Sequence, residues 1–144
     1  MNGVVIKQIG DISIGDSAYF AKTVTEADVM MFAMLSGDYA SHHVDESFAQ
    51  TTLFKSRIAH GMLTAGLICP VLRLLCGDGS TTRSQEIAFK SAVLLNDTVT
   101  VKGEVTEVSE DDKVVTIEVV CTKQGHVEGD RPLVLGTFKQ ALVV

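Results

Sequence analysis

The chain has 144 residues, 46% of them hydrophobic, and 18 acidic residues against 12 basic ones give a formal net charge of −6. Length and composition point to one domain over residues 1–144, able to bury about 68% of its unfolded surface and in need of neither disulfide nor metal to fold. The acidic balance argues against general nucleic-acid binding, which wants a basic surface; a polyanionic small molecule held by a few Lys or Arg residues stays compatible with it.

In chain order, the start "MNGVVIKQIGDISIGD" has no basic opening followed by a long apolar run, so no signal peptide is expected. No segment is apolar for long enough to span a membrane. "SAYFAKTVT" alternates apolar and polar residues and predicts a strand over 17–25. Thr25 and Asp28 are spaced as a relative of the capping box, and Val29, Phe32, Ala33 and Leu35 follow at helical spacing. Met30, Met31 and Met34 are expected in the core of this helix, and Gly37 ends it. Asp45 has the character of an N-cap for a short helix through Ala49.

"IAHGMLTAGLICPVLRLLCG" is almost wholly apolar from Met62 to Leu75, broken by Thr64, Pro70 and Arg73. It predicts a long helix buried on all sides, kinked by Pro70 and ended by Gly77 and Gly79. Cys69, Cys76 and Cys121 form no Cys-x-x-Cys pair and sit in apolar stretches. They are expected as buried, inert thiols of a reducing, cytoplasmic compartment. The back half is β-branched and alternating: "SQEIAFKSAVL", "DTVTVKGEVTEVSE", "DKVVTIEVVCTKQG" and "PLVLGTFKQALVV", with turns at "LND", "SEDD" and "GHVEGDRP". Strands in succession predict an antiparallel meander and, with the first strand, a sheet of about five. Both sheet and apolar helix are buried if the one curls round the other. That is an α+β hotdog fold, an antiparallel five-stranded sheet wrapped round a long central helix.

One stretch stands apart. "SGDYASHHVDESFAQ", Ser36 to Gln50, gathers acids and two adjacent histidines. An acid and an imidazole so close can handle one water molecule. "RIAHGM" follows at the entry to the apolar helix. Ser36, Gly37, Asp38, His43, Asp45, Ala49, Ile58, His60, Gly61 and Met62 stand in the order of a known pattern, which also has the spacing from Asp38 to His43. The chain thereby resembles the MaoC-like family of (R)-specific enoyl-CoA hydratases and related dehydratases. "QEIAFKSAVLLND" resembles a second stretch of the same family. The chain departs from the pattern where Ala40-Ser41 replace an Asn-Pro and where Ala92 replaces a Pro.

The resemblance implies reversible hydration of a 2-enoyl thioester to an (R)-3-hydroxyacyl thioester, with Asp38 and His43 as the catalytic pair. Partial burial of Asp38 beside a helix is expected to raise its pKa and improve it as a base. The backbone N–H of Gly61 is implied as the oxyanion donor, at the N-terminus of the central helix. Lys55, Arg57 and Lys90 flank the motifs and are candidates for binding the substrate's phosphates. No metal and no organic cofactor are implied; CoA or phosphopantetheine belongs to the substrate. A metal at His42, His43 and Asp45 is not expected, because adjacent histidines diverge and no Cys is near. Asp45 reads as a cap, His42 as a pocket-edge or surface residue, and His60 as a residue that orients the loop. The expected partners are an acyl-CoA or acyl-carrier-protein substrate, with neither nucleic acid nor membrane. Exposed sheet edges lead to the expectation of a homodimer or higher homo-oligomer. Two other readings stay open: a dehydratase on a carrier-protein thioester, and a non-catalytic thioester-binding subunit, suggested by the lost Asn-Pro. A thioesterase would place its acid or nucleophile elsewhere, so the Asp38–His43 pair argues against it.

Overall fold

The computed structural model describes residues 3–127 and 130–143. The expected turn at "GHVEGDRP" and the expected last strand each extend in part outside those residues. A 3-10 turn over Ile9–Asp11 leads into strand β1, Ser17–Thr23. Helix α1, Glu26–Ser36, starts with a reciprocal capping box: the Asp28 N–H donates to Thr25 Oγ1, and the Thr25 N–H donates to Asp28 Oδ2 at 2.8 Å. Gly37 ends it in the left-handed region at φ 76°, where only a residue without Cβ sits freely. Short helices α2, Ser41–Val44, and α3, Glu46–Ala49, follow, and Asp45 caps α3 by accepting the Phe48 N–H.

The apolar segment forms two helices rather than one, α4 over Gly61–Gly66 and α5 over Cys69–Cys76. Pro70 is the reason. It has no N–H to offer the Gly66 carbonyl, and its ring needs the space in front of it. The chain tightens instead into i→i+3 bonds, Leu67 N–H to Thr64 O and Ile68 N–H to Ala65 O, and resumes with Pro70 in the first turn of α5.

Four strands follow: β2 Ser80–Phe89, β3 Thr98–Ser109, β4 Val114–Lys123 and β5 Val134–Leu142. All pairs are antiparallel, in one five-stranded sheet of order β1-β3-β4-β5-β2. The structure differs here from an uninterrupted meander. β3, β4 and β5 pair in succession, but β2 pairs with β5 and forms the opposite edge from β1. Residues 90–97 are not a hairpin loop. They cross the end of the sheet, fixed by the Ala59 N–H to Val93 O and by exchange between Val24 and the Asn96–Asp97 backbone.

The sheet curls over α5. Val71, Leu72, Leu75 and Cys76 of the helix pack with Val99, Val101, Val105, Val115, Ile117 and Phe138. Gly103 sits where the two meet; a Cβ there would lie 2.5 Å from Val71 Cγ1. Close approach of helix and sheet therefore depends on that missing side chain. Register shifts at Thr82/Ser84 and Val105/Glu107 increase the local twist.

Burial differs from expectation at three places. α1 buries Val29 and Ala33, while Leu35, Met31 and Met34 are exposed, because a single i, i+4 stripe suffices to seat so short a helix. Cys69 is exposed at the start of α5, whereas Cys76 and Cys121 are buried. Burial raises the Cys76 thiol to about 11 and the Cys121 thiol to about 12. The apolar segment is likewise not enclosed on every side: Met62 and Leu74 are about half exposed.

Candidate active site

Asp38 lies in the loop between α1 and α2. Short-range bonds shape this loop. The Asp38 N–H donates to Ser36 Oγ, which itself donates to the Phe32 carbonyl, and the Ala40 N–H donates to Asp38 Oδ1 at 3.1 Å. Such an Asx turn needs only a backbone N–H at position 40, so the loop closes with Ala40 in place of Asn. One carboxylate oxygen is spent on the turn. The other, Oδ2, faces two imidazoles, 3.8 Å from His43 Nε2 and 4.0 Å from His60 Nε2. The Asp38 side chain is 51% exposed, so the expected partial burial is not found in a single chain.

His43 sits on α2, 6% exposed. Its Nδ1 is 2.8 Å from the Ile58 carbonyl. A carbonyl only accepts, so Nδ1 carries the proton and the neutral ring leaves a bare Nε2 lone pair on the Asp38 side. Burial lowers the His43 pKa below its ordinary 6.5, helped by neighbouring His60 and His42 and opposed by the Ile58 bond and Asp38. The ring is therefore a base at neutral pH. His42 meets it edge-on at 4.1 Å, and His60 stacks on it at 3.8 Å with 27° between planes.

Residues 58–60 bring these groups together. They run extended between α2 and the 93–94 crossing: the Ile58 N–H donates to His42 O, Ile58 bridges Leu94, and the Ala59 N–H donates to Val93 O. His60 then caps α4, placing Gly61 at the first helical position, where backbone N–H groups lack intrahelical acceptors.

The donor atoms of Asp38, His43 and His60 all lie within 4.8 Å of one another. Their arrangement suits a metal ion poorly. Stacked rings direct their in-plane lone pairs side by side rather than at a common point, and His60 Nε2 is 2.9 Å from the Asp38 carbonyl, which requires a proton there. A ligating imidazole nitrogen must be bare and about 2 Å from the ion.

Residues 12–127, a span that contains Asp38, His43, the extended strip and the start of α4, match a domain model described as "MaoC like domain". The chain belongs to the MaoC-like family. An (R)-specific enoyl-CoA hydratase of Rhodospirillum rubrum is 45% identical over 125 residues, spanning 86% of this chain and 87% of the relative. A 3-hydroxybutyryl-CoA dehydratase of Methylorubrum extorquens is 37% identical over 78% of this chain and 72% of that one. The solved structure of an (R)-hydratase from Aeromonas caviae involved in PHA biosynthesis superposes with a TM-score of 0.85 at 36% identity, covering 91% of this chain and 97% of that one. The five-stranded antiparallel sheet with its central helical segment is the hotdog fold of these MaoC-like neighbours.

Beside the Asp38–His43 pair lies a cleft of about 470 Å³ whose wall includes Gly61, Thr64, Phe54, Phe89, Lys90 and Arg131. Asp38 and His43 are not in that wall; His43 reaches it indirectly, through Ile58. Among the cations expected from the sequence, Lys90 lines the cleft. Arg57 does not: it donates to Glu26 at 2.8 Å and to Glu46 at 3.4 Å, and the Glu26 hydrogen bond raises its pKa further. That makes it a tie between α1 and α3. Lys55, exposed at φ 58°, reaches only the Gln50 carbonyl among the described residues, at 3.4 Å. Arg131 and Phe89 were not signalled by the sequence. Arg131 lies in a Gly/Pro-flanked turn with no motif around it, and Phe89 reads as an ordinary strand residue until its ring is seen over Gly61, 3.1 Å from where a Cβ would be.

Proposed function

We propose that this protein reversibly hydrates the C2–C3 double bond of an enoyl-CoA to give the (R)-3-hydroxyacyl-CoA. The observation that carries this reading is the facing pair of acceptors, Asp38 Oδ2 and the bare His43 Nε2, 3.8 Å apart. A single water with hydrogen bonds of about 2.8 Å can donate one hydrogen to each. The water oxygen bonds to C3, one of its protons passes to the pair, and a proton from the pair goes to C2. The electrons of the broken π bond pass through the thioester oxygen as an enolate. The Gly61 N–H, on a backbone that a substrate carbonyl can approach closely, is the donor proposed for that charge.

Names of the relatives specify CoA thioesters, which favours CoA over a carrier protein. Lys90 and Arg131, both on the cleft wall, are the cations best placed to hold CoA phosphates. No group beyond side chains, backbone and water enters the chemistry; CoA is part of the substrate. A homodimer fits the half-exposed Asp38 and an edge strand, β2, whose residues Thr81–Glu86 are exposed. Cytoplasmic residence goes with this substrate; among the described residues no helix is long and apolar enough to cross a membrane.

The test is loss of the enoyl absorbance of crotonyl-CoA. Hydration that disappears in Asp38→Asn and in His43→Ala supports the reading; wild-type rates in both refute it. Turnover of crotonyl on a carrier protein with none on CoA would transfer the activity to the carrier-bound substrate. Sedimentation at the mass of one chain would remove the dimer.

A further inference from the structure

We infer that His60 is a positioning residue: its Nε2–H holds the Asp38 main chain in place and thereby sets the gap between the Asp38 carboxylate and the His43 imidazole. This deepens the hydratase reading and rests on it.

His60 is 2% exposed, and its Nε2 lies 2.9 Å from the Asp38 carbonyl oxygen. The other bonds of residues 37–40 are local, to Ala33, Ser36, Asp38 and His43. Among the described residues, the His60 bond is the one that ties this loop to a distant part of the chain, across 22 positions. Without it, a half-exposed Asp38 is restrained by its own turn alone.

The imidazole is not explained by packing. Its ring stands between His43, stacked at 3.8 Å, and Phe32 of α1, tilted at 4.9 Å. A phenyl ring would fill that space. An imidazole instead leaves Nδ1 buried with no hydrogen-bond partner among the described residues, an unfavourable arrangement for a polar atom. What the imidazole has and a phenyl lacks is the Nε2–H that reaches Asp38. The same residue governs the third element of the site. The Gly61 N–H belongs to the His60–Gly61 peptide, whose carbonyl accepts the Thr64 N–H at 3.2 Å. One residue thus touches the acid's backbone, the face of the base and the peptide of the proposed oxyanion donor.

The experiment compares His60→Phe and His60→Gln with wild type in steady-state hydration of crotonyl-CoA, with Asp38→Asn as a parallel control. His60→Phe keeps a ring in the stack and removes the donor; kcat should fall by about tenfold to a hundredfold, the scale of a small misplacement of a reacting group, while KM stays within about threefold. His60→Gln restores an N–H and should recover much of the lost kcat. The acid limb of kcat/KM should survive in both variants, since His60 does not itself exchange the proton, but move slightly upward because His60 helps to lower the His43 pKa. Wild-type kcat in His60→Phe, no advantage of Gln over Phe, an effect on KM alone, or a lost acid limb would each overturn the inference. Where His60→Phe fails to fold, nitrogen-15 histidine spectra of the wild type decide: the His60 ring, assigned by its absence from His60→Gln, should carry its proton on Nε2, and a proton on Nδ1 overturns the inference. Full activity in Asp38→Asn would instead remove the hydratase site itself, whatever the His60 variants do.

Discussion

Gly61→Val separates folding from catalysis, and both sides can be worked from the structure. A Cβ at Gly61 would lie 3.1 Å from Phe89 Cε1 and 3.2 Å from Cδ1. The obstacle is the end of a side chain that is 50% exposed, so the ring can swing outward. An off-rotamer adjustment costs about 0.5–1.5 kcal/mol. Replacing Gly in a helical position regains up to about 1 kcal/mol, somewhat less for a β-branched residue. The two offset each other to within about 1 kcal/mol, so Tm should move by about 3 °C or less. Turnover should respond very differently. Valine methyls project into the cleft beside the N–H that would receive the enolate oxygen. Loss of one such donor typically lowers the rate by about 10²–10³, or roughly 2.7–4 kcal/mol. Circular-dichroism melting and the crotonyl-CoA absorbance assay measure the two quantities on the same sample. A folded Gly61→Val that hydrates crotonyl-CoA within about threefold of wild type would show that the thioester carbonyl is held elsewhere.

Asp38→Asn should keep its Asx turn, since an amide oxygen can still accept the Ala40 N–H, yet lose about 10²–10⁴ in kcat; an unchanged rate contradicts the pair. Burial lowers the His43 pKa, so kcat/KM should stay flat above pH 6.5 and fall only at lower pH; an acid limb centred at pH 7 or above would contradict the buried neutral ring. Stability has the same sign: below pH 6.5 the unfolded chain binds the His43 proton more readily than the native one, so unfolding becomes easier as pH drops. Arg57→Ala should lower stability by about 1 kcal/mol through its exposed pairs with Glu26 and Glu46 and its packed stem, seen as a shift in the urea midpoint, with KM for crotonyl-CoA unaltered. Cys76 and Cys121, raised to about 11 and about 12, should resist a thiol reagent at pH 8 until urea unfolds the chain, while the exposed Cys69 reacts; labelling of more than that one thiol in the native state would contradict their burial.

Local features were the most legible in the sequence. The Thr25–Asp28 box, the Asp45 cap and the Gly37 stop each depend on side-chain-to-backbone geometry within a few residues, and all three are present. Pro70 announced a disturbance but not its position, because the bond it cannot make belongs to Gly66, one turn earlier. The partner of β2 was illegible for a different reason: an alternating strand carries its inward and outward faces in its pattern but not the identity of its neighbour. In the site, the spacing of Asp38 and His43 was readable as a unit. Their shared contact with His60 was not, since it depends on residues 58–60 running extended against both α2 and the 93–94 crossing. Arg57 shows the opposite error, a cation near the motif whose charge is already matched by two carboxylates.

The strand order also dictates when the molecule can assemble. β1 must wait for β3, since Ser17 pairs with Glu104 and Thr23 with Thr98, and β2 must wait for β5, since Ser80 pairs with Leu142 and Phe89 with Val134. Asp38, His43 and Gly61 are synthesised after β1 but before the other four strands. Only the β3–β4 and β4–β5 hairpins, near neighbours in the chain, can form without closing a long loop. During synthesis the apolar α4–α5 segment therefore leaves the ribosome with no sheet to cover it. A chain halted before β5 holds Asp38, His43 and Gly61 but leaves β2 without its partner, so the fold cannot close until β5 has been made.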